Sequence, residues 1–246
     1  MRRMRLVPSM SAAAILLVAL SACAPNEPIA PSIPKPTPSA TVEVPVEDPP
    51  AGSGTAATAI TATVTIHDAP NGTATATLAH PQPSGAPLTF LVSEVQGAWL
   101  NVHLSQRPNG STGWVRADEV TLQRLEYSLR VSTTENTVTL YRNAELVGTF
   151  PAATGTGGTP TPTGTFYLTE LLAPTNQGYG PFAFGVSAYS DAVTSFGGGP
   201  GQIGLHGTDD AASIGTAASH GCIRLSNQDI TTLAGILPLG TPITIE

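Results

Sequence analysis

Chemistry has few places to happen in this chain. Its 246 residues hold two cysteines and five histidines. Cys222 stands in Ser219-His220-Gly221-Cys222-Ile223-Arg224-Leu225, with His220 two residues before it. His206 precedes it by sixteen residues, in Gly204-Leu205-His206-Gly207-Thr208, behind the run Gly197-Gly198-Gly199-Pro200-Gly201. A free thiol, with a pKa of roughly 8.5, is mostly protonated at neutral pH. An imidazole brought against it can take the proton and leave a nucleophilic thiolate facing an imidazolium. Gly221 permits a tight turn that aims consecutive backbone N–H groups at one point, as a tetrahedral oxyanion requires. Two plainer readings use the same residues. One is a buried free cysteine in a turn. The other is zinc on His206, His220 and Cys222, which lacks a fourth ligand and the short Cys-x-x-Cys spacing. No metal and no cofactor are expected. His67, His80 and His103 lie among turns and strands with no cysteine or acidic cluster beside them, so surface or packing roles are expected.

The elements that must position these groups read as β-strands. A content of 41% apolar residues can build a core, while 23 prolines and 25 glycines disfavour long helices. From Ile60 to Leu122, Thr61–Ile66, Leu88–Val95, Trp99–Leu104 and Gly113–Val115 are strand-like, separated by turns at Asp68–Gly72 and Pro108–Gly110. From Leu125 to Glu246, alternating segments flank a hairpin turn at Arg142–Glu145 and a rigid turn at Thr159–Gly164. One helix is expected near the end. Ser226-Asn227-Gln228-Asp229 is a capping-box pattern, Ile230, Leu233, Ile236 and Leu237 share a face, and Pro238 and Gly240 terminate it. Thr241–Ile245 closes the chain as a strand.

Composition excludes some functions. Charged residues are only 11% and the net charge is −7, with Arg2, Arg3 and Arg5 confined to the N-terminus. That balance argues against nucleic-acid binding through a basic surface. Those arginines precede an apolar stretch, Ala12–Leu20, of signal-peptide length and too short for a membrane span. Leu20-Ser21-Ala22-Cys23 resembles the bacterial lipobox, which implies a signal peptide over residues 1–22 and diacylglycerol on Cys23. Residues 23–59 are rich in Pro, Thr and Ala and read as an extended, lipid-anchored linker. The expected location is the cell envelope, on the outer face of the cytoplasmic membrane and facing the wall.

Two resemblances add to this. Trp99-Leu100-Asn101-Val102, a turn and Gly113-Trp114-Val115 resemble the end of bacterial SH3-like domains, which places such a domain at 60–122, with Trp99 and Trp114 as core or groove residues. Ile203–Thr208, Ser213-Ile214-Gly215 and Ser219–Leu225, with Pro160–Phe166 and Gly240–Ile245, resemble the L,D-transpeptidase catalytic domain of the YkuD type over residues 125–246. The resemblance implies a mainly β chain: a small SH3-like barrel followed by a catalytic β-sandwich with one short helix. It implies that Cys222 is the nucleophile and His206 the general base, with the Gly207 carbonyl orienting His206. It further implies that the backbone N–H groups of Gly221 and Cys222 hold the oxyanion and that His220 shapes the loop. Arg224, where many members have asparagine, and Ser219 are the expected substrate-binding residues. The implied partners are peptidoglycan stem peptides, joined 3→3 through an acyl-enzyme with release of D-Ala. An L,D-carboxypeptidase or endopeptidase with the same cysteine, and a non-catalytic cell-wall-binding lipoprotein, are the alternatives. The diamino acid of the stem and the oligomeric state are left open.

Overall fold

The computed structural model describes residues 54–174, 178–196 and 198–246. The expected signal segment, Cys23 and most of the expected linker lie outside them. The chain is mainly β, with 52% strand and, among the described residues, one α-helix.

The first sheet contains β1 (Gly54–Ala59), β2 (Thr63–His67), β3 (Ala74–Ala79), β4 (Thr89–Gln96), β5 (Trp99–His103), β6 (Thr112–Arg116) and β7 (Val120–Leu125). Its order is β3-β2-β6-β5-β4-β1-β7, antiparallel throughout. Val64, Ile66, Phe90, Leu100, Val102 and Val115 alternate into its core, as period-2 patterning requires. Trp99 is also buried, edge-on to His67, and Trp114 is half-buried. His67 and His80 each engage a nearby backbone group, consistent with packing roles.

β1 differs from the sequence expectation, which ran the linker to residue 59. Gly-Thr-Ala-Ala-Thr-Ala carries no large apolar residue to announce a strand. It is one because β4 and β7 pair with it on both sides and its alanines fit where bulk would not. Ala56, Leu91 and Leu125 then pack with Tyr167, tying this sheet to the next within one compact unit.

The second part contains β8 (Tyr127–Ser132), β9 (Thr137–Arg142), β10 (Glu145–Pro151), β11 (Thr154–Gly155), β12 (Gly164–Leu172), β13 (Ala183–Tyr189), β14 (Gln202–Thr208), β15 (Ala217–Ser219), β16 (Ile223–Ser226), α1 (Asn227–Ala234) and β17 (Pro242–Ile245). Eight of these strands form a sheet ordered β10-β9-β8-β17-β12-β13-β14-β16, and β11 pairs with β15 in a two-stranded ladder. The expected hairpin at Arg142–Glu145 joins β9 to β10, with Asn143 and Ala144 both at positive φ.

α1 begins where its cap predicts. The Ser226 hydroxyl accepts from the Asp229 N–H at 3.1 Å and donates to the Asp229 carboxylate at 2.6 Å. Ile230, Leu233 and Leu237 reach the core. Ile236, expected on the same face, is exposed because the helix has already ended at Ala234.

Candidate active site

Two adjacent parallel strands carry the reactive groups. β14 and β16 pair with Leu205 opposite Ile223 and His206 opposite Arg224. Side chains alternate across a strand. Leu205, Ile223 and Leu225 therefore point into the core, each fully buried. His206, Arg224 and, at the mouth of β16, Cys222 are left on the opposite face, where all three line a cleft of about 230 Å³. The single apolar residue within each of Gly-Leu-His and Cys-Ile-Arg is what places the functional groups together.

The turn before Cys222 is held from two sides. Within it, the Ser219 hydroxyl donates to the Cys222 carbonyl and accepts from the Gly221 N–H at 3.0 Å. From outside, the Thr161 hydroxyl donates to the Gly221 carbonyl at 2.9 Å and accepts from the Gly155 N–H at 2.8 Å. The Thr159 hydroxyl donates to the Ser219 carbonyl at 3.2 Å. The rigid Pro160–Pro162 turn thus delivers the hydroxyls that fix the cysteine loop. Gly221 has φ +119°, a conformation that disfavours any side chain.

This network alters two expected roles. Ser219, expected to bind substrate, is 1% exposed with its hydroxyl engaged inside the turn, so it positions the loop. The Gly221 N–H, expected as an oxyanion donor, is already given to Ser219. Among the described residues, the Cys222 N–H donates to nothing and is the group left to hold an oxyanion.

The histidine has a defined tautomer. Nδ1 of His206 lies 2.6 Å from the Gly207 carbonyl, which can only accept. Nδ1 therefore carries the proton and Nε2 presents its lone pair. A Cβ at Gly207 would run into the Asn227 amide oxygen of α1 and lie 2.9 Å from the buried Ile230 Cγ2, so a side chain there would force neighbours to shift. Burial, and then the Arg224 charge, drive the His206 pKa down to about 4 against the favourable Gly207 hydrogen bond. Burial pushes the Cys222 thiol up, opposed by the Gly204 N–H, 3.4 Å from Sγ, and by Arg224. Both shifts disfavour the imidazolium–thiolate ion pair that sequence spacing suggested. Desolvation of both groups is the reason. Gly204 lies between them: an added Cβ would sit 3.4 Å from His206 Cδ2 and 3.7 Å from Cys222 Sγ.

His220 is exposed on the cleft rim, its ring stacked on Phe196 at 6.4 Å. Arg224 lines the cleft, and among the described residues its guanidinium enters no ion pair. No cluster of potential metal ligands occurs among the described residues. Sequence reasoning missed Tyr179, whose ring lies 4.4 Å from that of His206, and the far wall formed by Ser190, Val193 and Phe196. Glycine and proline punctuation around Tyr179 was the available signal. Such a group can acylate and deacylate a thiol at a carbonyl, with one imidazole moving the proton in both directions.

The YkuD family model, described as the L,D-transpeptidase catalytic domain, matches residues 126–245. The chain is 40% identical over 122 residues to a putative L,D-transpeptidase YkuD of Bacillus subtilis, covering 50% of this chain and 67% of that protein. It is 38% identical over 121 residues to the Bacillus licheniformis counterpart, covering 49% of this chain and 66% of that one. Among solved structures, an L,D-transpeptidase from Mycobacterium smegmatis aligns over 63% of this chain and 80% of its own, with TM-score 0.43 and 21% identity. The family match spans the segments that hold the β14 histidine and the cysteine turn, and the chain belongs to the YkuD family of L,D-transpeptidases.

Proposed function

We propose that the protein is an exported, lipid-anchored L,D-transpeptidase that forms 3→3 cross-links between peptidoglycan stem peptides through a Cys222 acyl-enzyme. The observation that carries this reading is the free Nε2 lone pair of His206, set by the Nδ1–H bond to Gly207, on the same cleft face as the Cys222 thiol.

The thiol attacks the carbonyl carbon of the L,D-peptide bond before the terminal D-Ala, while its proton passes to Nε2 of His206. The oxyanion forms against the Cys222 N–H. Collapse breaks the C–N bond, His206 returns the proton to the departing amine, and D-Ala leaves a thioester on Cys222. The side-chain amine of a second stem attacks that thioester and gives a proton to Nε2; the C–S bond breaks, and the departing thiolate takes that proton from His206. No external oxidant, reductant or metal is required. In this reading the unpaired guanidinium of Arg224 binds a stem-peptide carboxylate, for which its planar fork is suited. The first sheet is proposed as an SH3-like module, and Cys23 as the acylated anchor holding both at the outer face of the cytoplasmic membrane.

Incubation with tetrapeptide stems, followed by mass spectrometry, tests the chemistry. Cross-linked dimers with released D-Ala are expected. Tripeptides alone would reassign the acyl-enzyme to hydrolysis, and no product from any stem would overturn the reading. A carbapenem is expected to leave a stable adduct on Cys222, and an adduct that persists in Cys222→Ala would place the reactive site elsewhere.

A further inference from the structure

One wall of the cleft is not secured by the catalytic sheet alone. Between the end of β13 at Tyr189 and the start of β14 at Gln202, the chain leaves the sheet and returns. This excursion gives Ser190, Val193, Phe196 and Gly201 to the cleft. Among the described residues, one backbone bond closes its neck, Ser190 N–H to the Gly201 carbonyl at 2.9 Å.

The other grip on the neck comes from the first sheet, through the loop between β5 and β6. Arg107 spans the neck with its fork: Nη1 donates to the Pro200 carbonyl at 2.8 Å and Nη2 to the Ser190 carbonyl at 2.7 Å. The Asn109 amide pairs with both backbone groups of Tyr189, Nδ2 donating to the carbonyl at 2.8 Å and Oδ1 accepting from the N–H at 2.9 Å. It thereby does what a neighbouring strand would do, at the last residue of β13. The Tyr189 hydroxyl donates to the Ser105 carbonyl at 3.0 Å, and its ring lies 5.0 Å from the Arg107 guanidinium carbon. Three residues within five positions of one loop thus converge on Tyr189 and the neck. Arginine is the side chain suited to bridging two carbonyls at once, and lysine cannot reproduce that fork.

We propose that the Ser105–Asn109 loop of the first sheet is a positioning element of the active-site cleft: Arg107 and Asn109 hold the neck of the 190–201 excursion and so set the wall that substrate meets at Val193 and Phe196. The first β-domain then serves substrate binding from within the molecule, besides any wall contact of its own. β14 is flanked by β13 and β16, so the base and the nucleophile keep their places when the neck loosens. The effect falls on substrate binding. This inference rests on the cleft being the donor-stem site of the proposed transpeptidase.

The test uses the full chain with Arg107→Ala, Asn109→Ala and the pair together. Arg116→Ala serves as control, because Arg116 pairs with Asp118 on the first sheet and does not touch the neck. Backbone hydrogen exchange around residues 189–203 reads the wall without any substrate. Exchange there should accelerate about tenfold or more in the double variant and not in Arg116→Ala, for the loss of four hydrogen bonds that are partly open to solvent. KM for a tetrapeptide stem should rise about tenfold with kcat within about threefold of wild type, the signature of lost uniform binding. Iodoacetamide alkylation of Cys222 should stay within about twofold, since the thiol's own surroundings are unchanged. Wild-type exchange at 189–203, or acceleration spread evenly over the whole chain, would overturn the inference. So would an unchanged KM. If the double variant fails to fold, Arg107→Lys, which keeps charge and stem but loses the fork, carries the same three readouts. If wild-type protein turns over no stem at all, the proposed function fails, while exchange and alkylation still decide whether the loop holds the wall.

Discussion

At Cys222, reactivity is set by opposed influences that can be separated one residue at a time. Burial raises the thiol, and the Gly204 N–H and Arg224 charge lower it. Arg224→Gln removes the charge, so the pH profile of iodoacetamide alkylation should move to higher pH; a profile that stayed in place would show that Arg224 does not act on the thiol. His206 is uncharged above pH of about 4. His206→Ala should therefore reduce acylation by stem peptide or carbapenem by about 10²–10⁴-fold, as loss of a general base does. The alkylation profile should shift little, because no imidazolium was stabilising the thiolate. A large shift to higher pH would restore the ion-pair picture. His220→Ala removes a rim residue of the cleft and its stack on Phe196, and acylation should fall by less than about tenfold, within the range of a lost aromatic contact. Gly221 is sensitive for another reason. At φ +119°, a side chain is strained and would lie 3.2 Å from Ile203 Cδ1. Gly221→Ala should cost about 1–3 kcal/mol in denaturation and displace the Cys222 N–H, with a matching loss of kcat.

Among the elements, the rigid turn before β12 matters through one hydroxyl. Thr161 is 4% exposed and bonds both Gly155 and Gly221. Thr161→Val keeps its shape but leaves a buried donor and a buried acceptor unpaired, at about 1–3 kcal/mol each. Thermal unfolding should come at lower temperature and Cys222 acylation should slow. Thr161→Ser should recover most of both. Failure of serine to recover them would mean that the methyl packing, not the hydroxyl, was the cause. β14 shows the same logic at the next level. It lies between β13 and β16 and is buried on its core face, so a base placed on it has little freedom to drift.

For the whole molecule, the depressed His206 pKa links folding to pH. The unfolded chain takes up this proton near pH 6.5, whereas the folded chain refuses it until about pH 4. Stability from this group is therefore full above about 6.5 and is lost as pH falls towards 4. The whole effect is on the order of 3 kcal/mol. Chemical denaturation at pH 7 and pH 4 should show that component in the wild type and its absence in His206→Gln. Equal losses in the two proteins would assign the acid sensitivity to other groups. The proposed anchor is tested at the same scale. Cys23→Ser should abolish fatty-acid labelling and release or strand the protein, and label retained on that variant would end the lipobox reading.

The sequence by itself pointed to Cys222 and His206 through their likeness to the L,D-transpeptidase motif, because residue types and spacing alone left a buried cysteine in a turn open. It also determined α1 at its N-terminus, because the Ser226 hydroxyl satisfies the orphan Asp229 N–H locally and is itself held by the Asp229 carboxylate. Strands with alternating large apolar residues, such as Trp99–His103, were legible for the same local reason. β1 was not, because its evidence lies in β4 and β7 rather than in its own small side chains. Nor were the roles of Ser219 and the Gly221 N–H, which depend on a hydroxyl folding back inside the turn. The lowered pKa of His206 came from burial by distant strands and from a cation across a parallel ladder, the raised pKa of Cys222 from burial against that cation's pull, and the grip of Arg107 and Asn109 on the neck of the far wall spans eighty residues or more. Local pattern is written in neighbouring residues, whereas desolvation and long-range hydrogen bonds exist only once the tertiary fold has brought remote segments together.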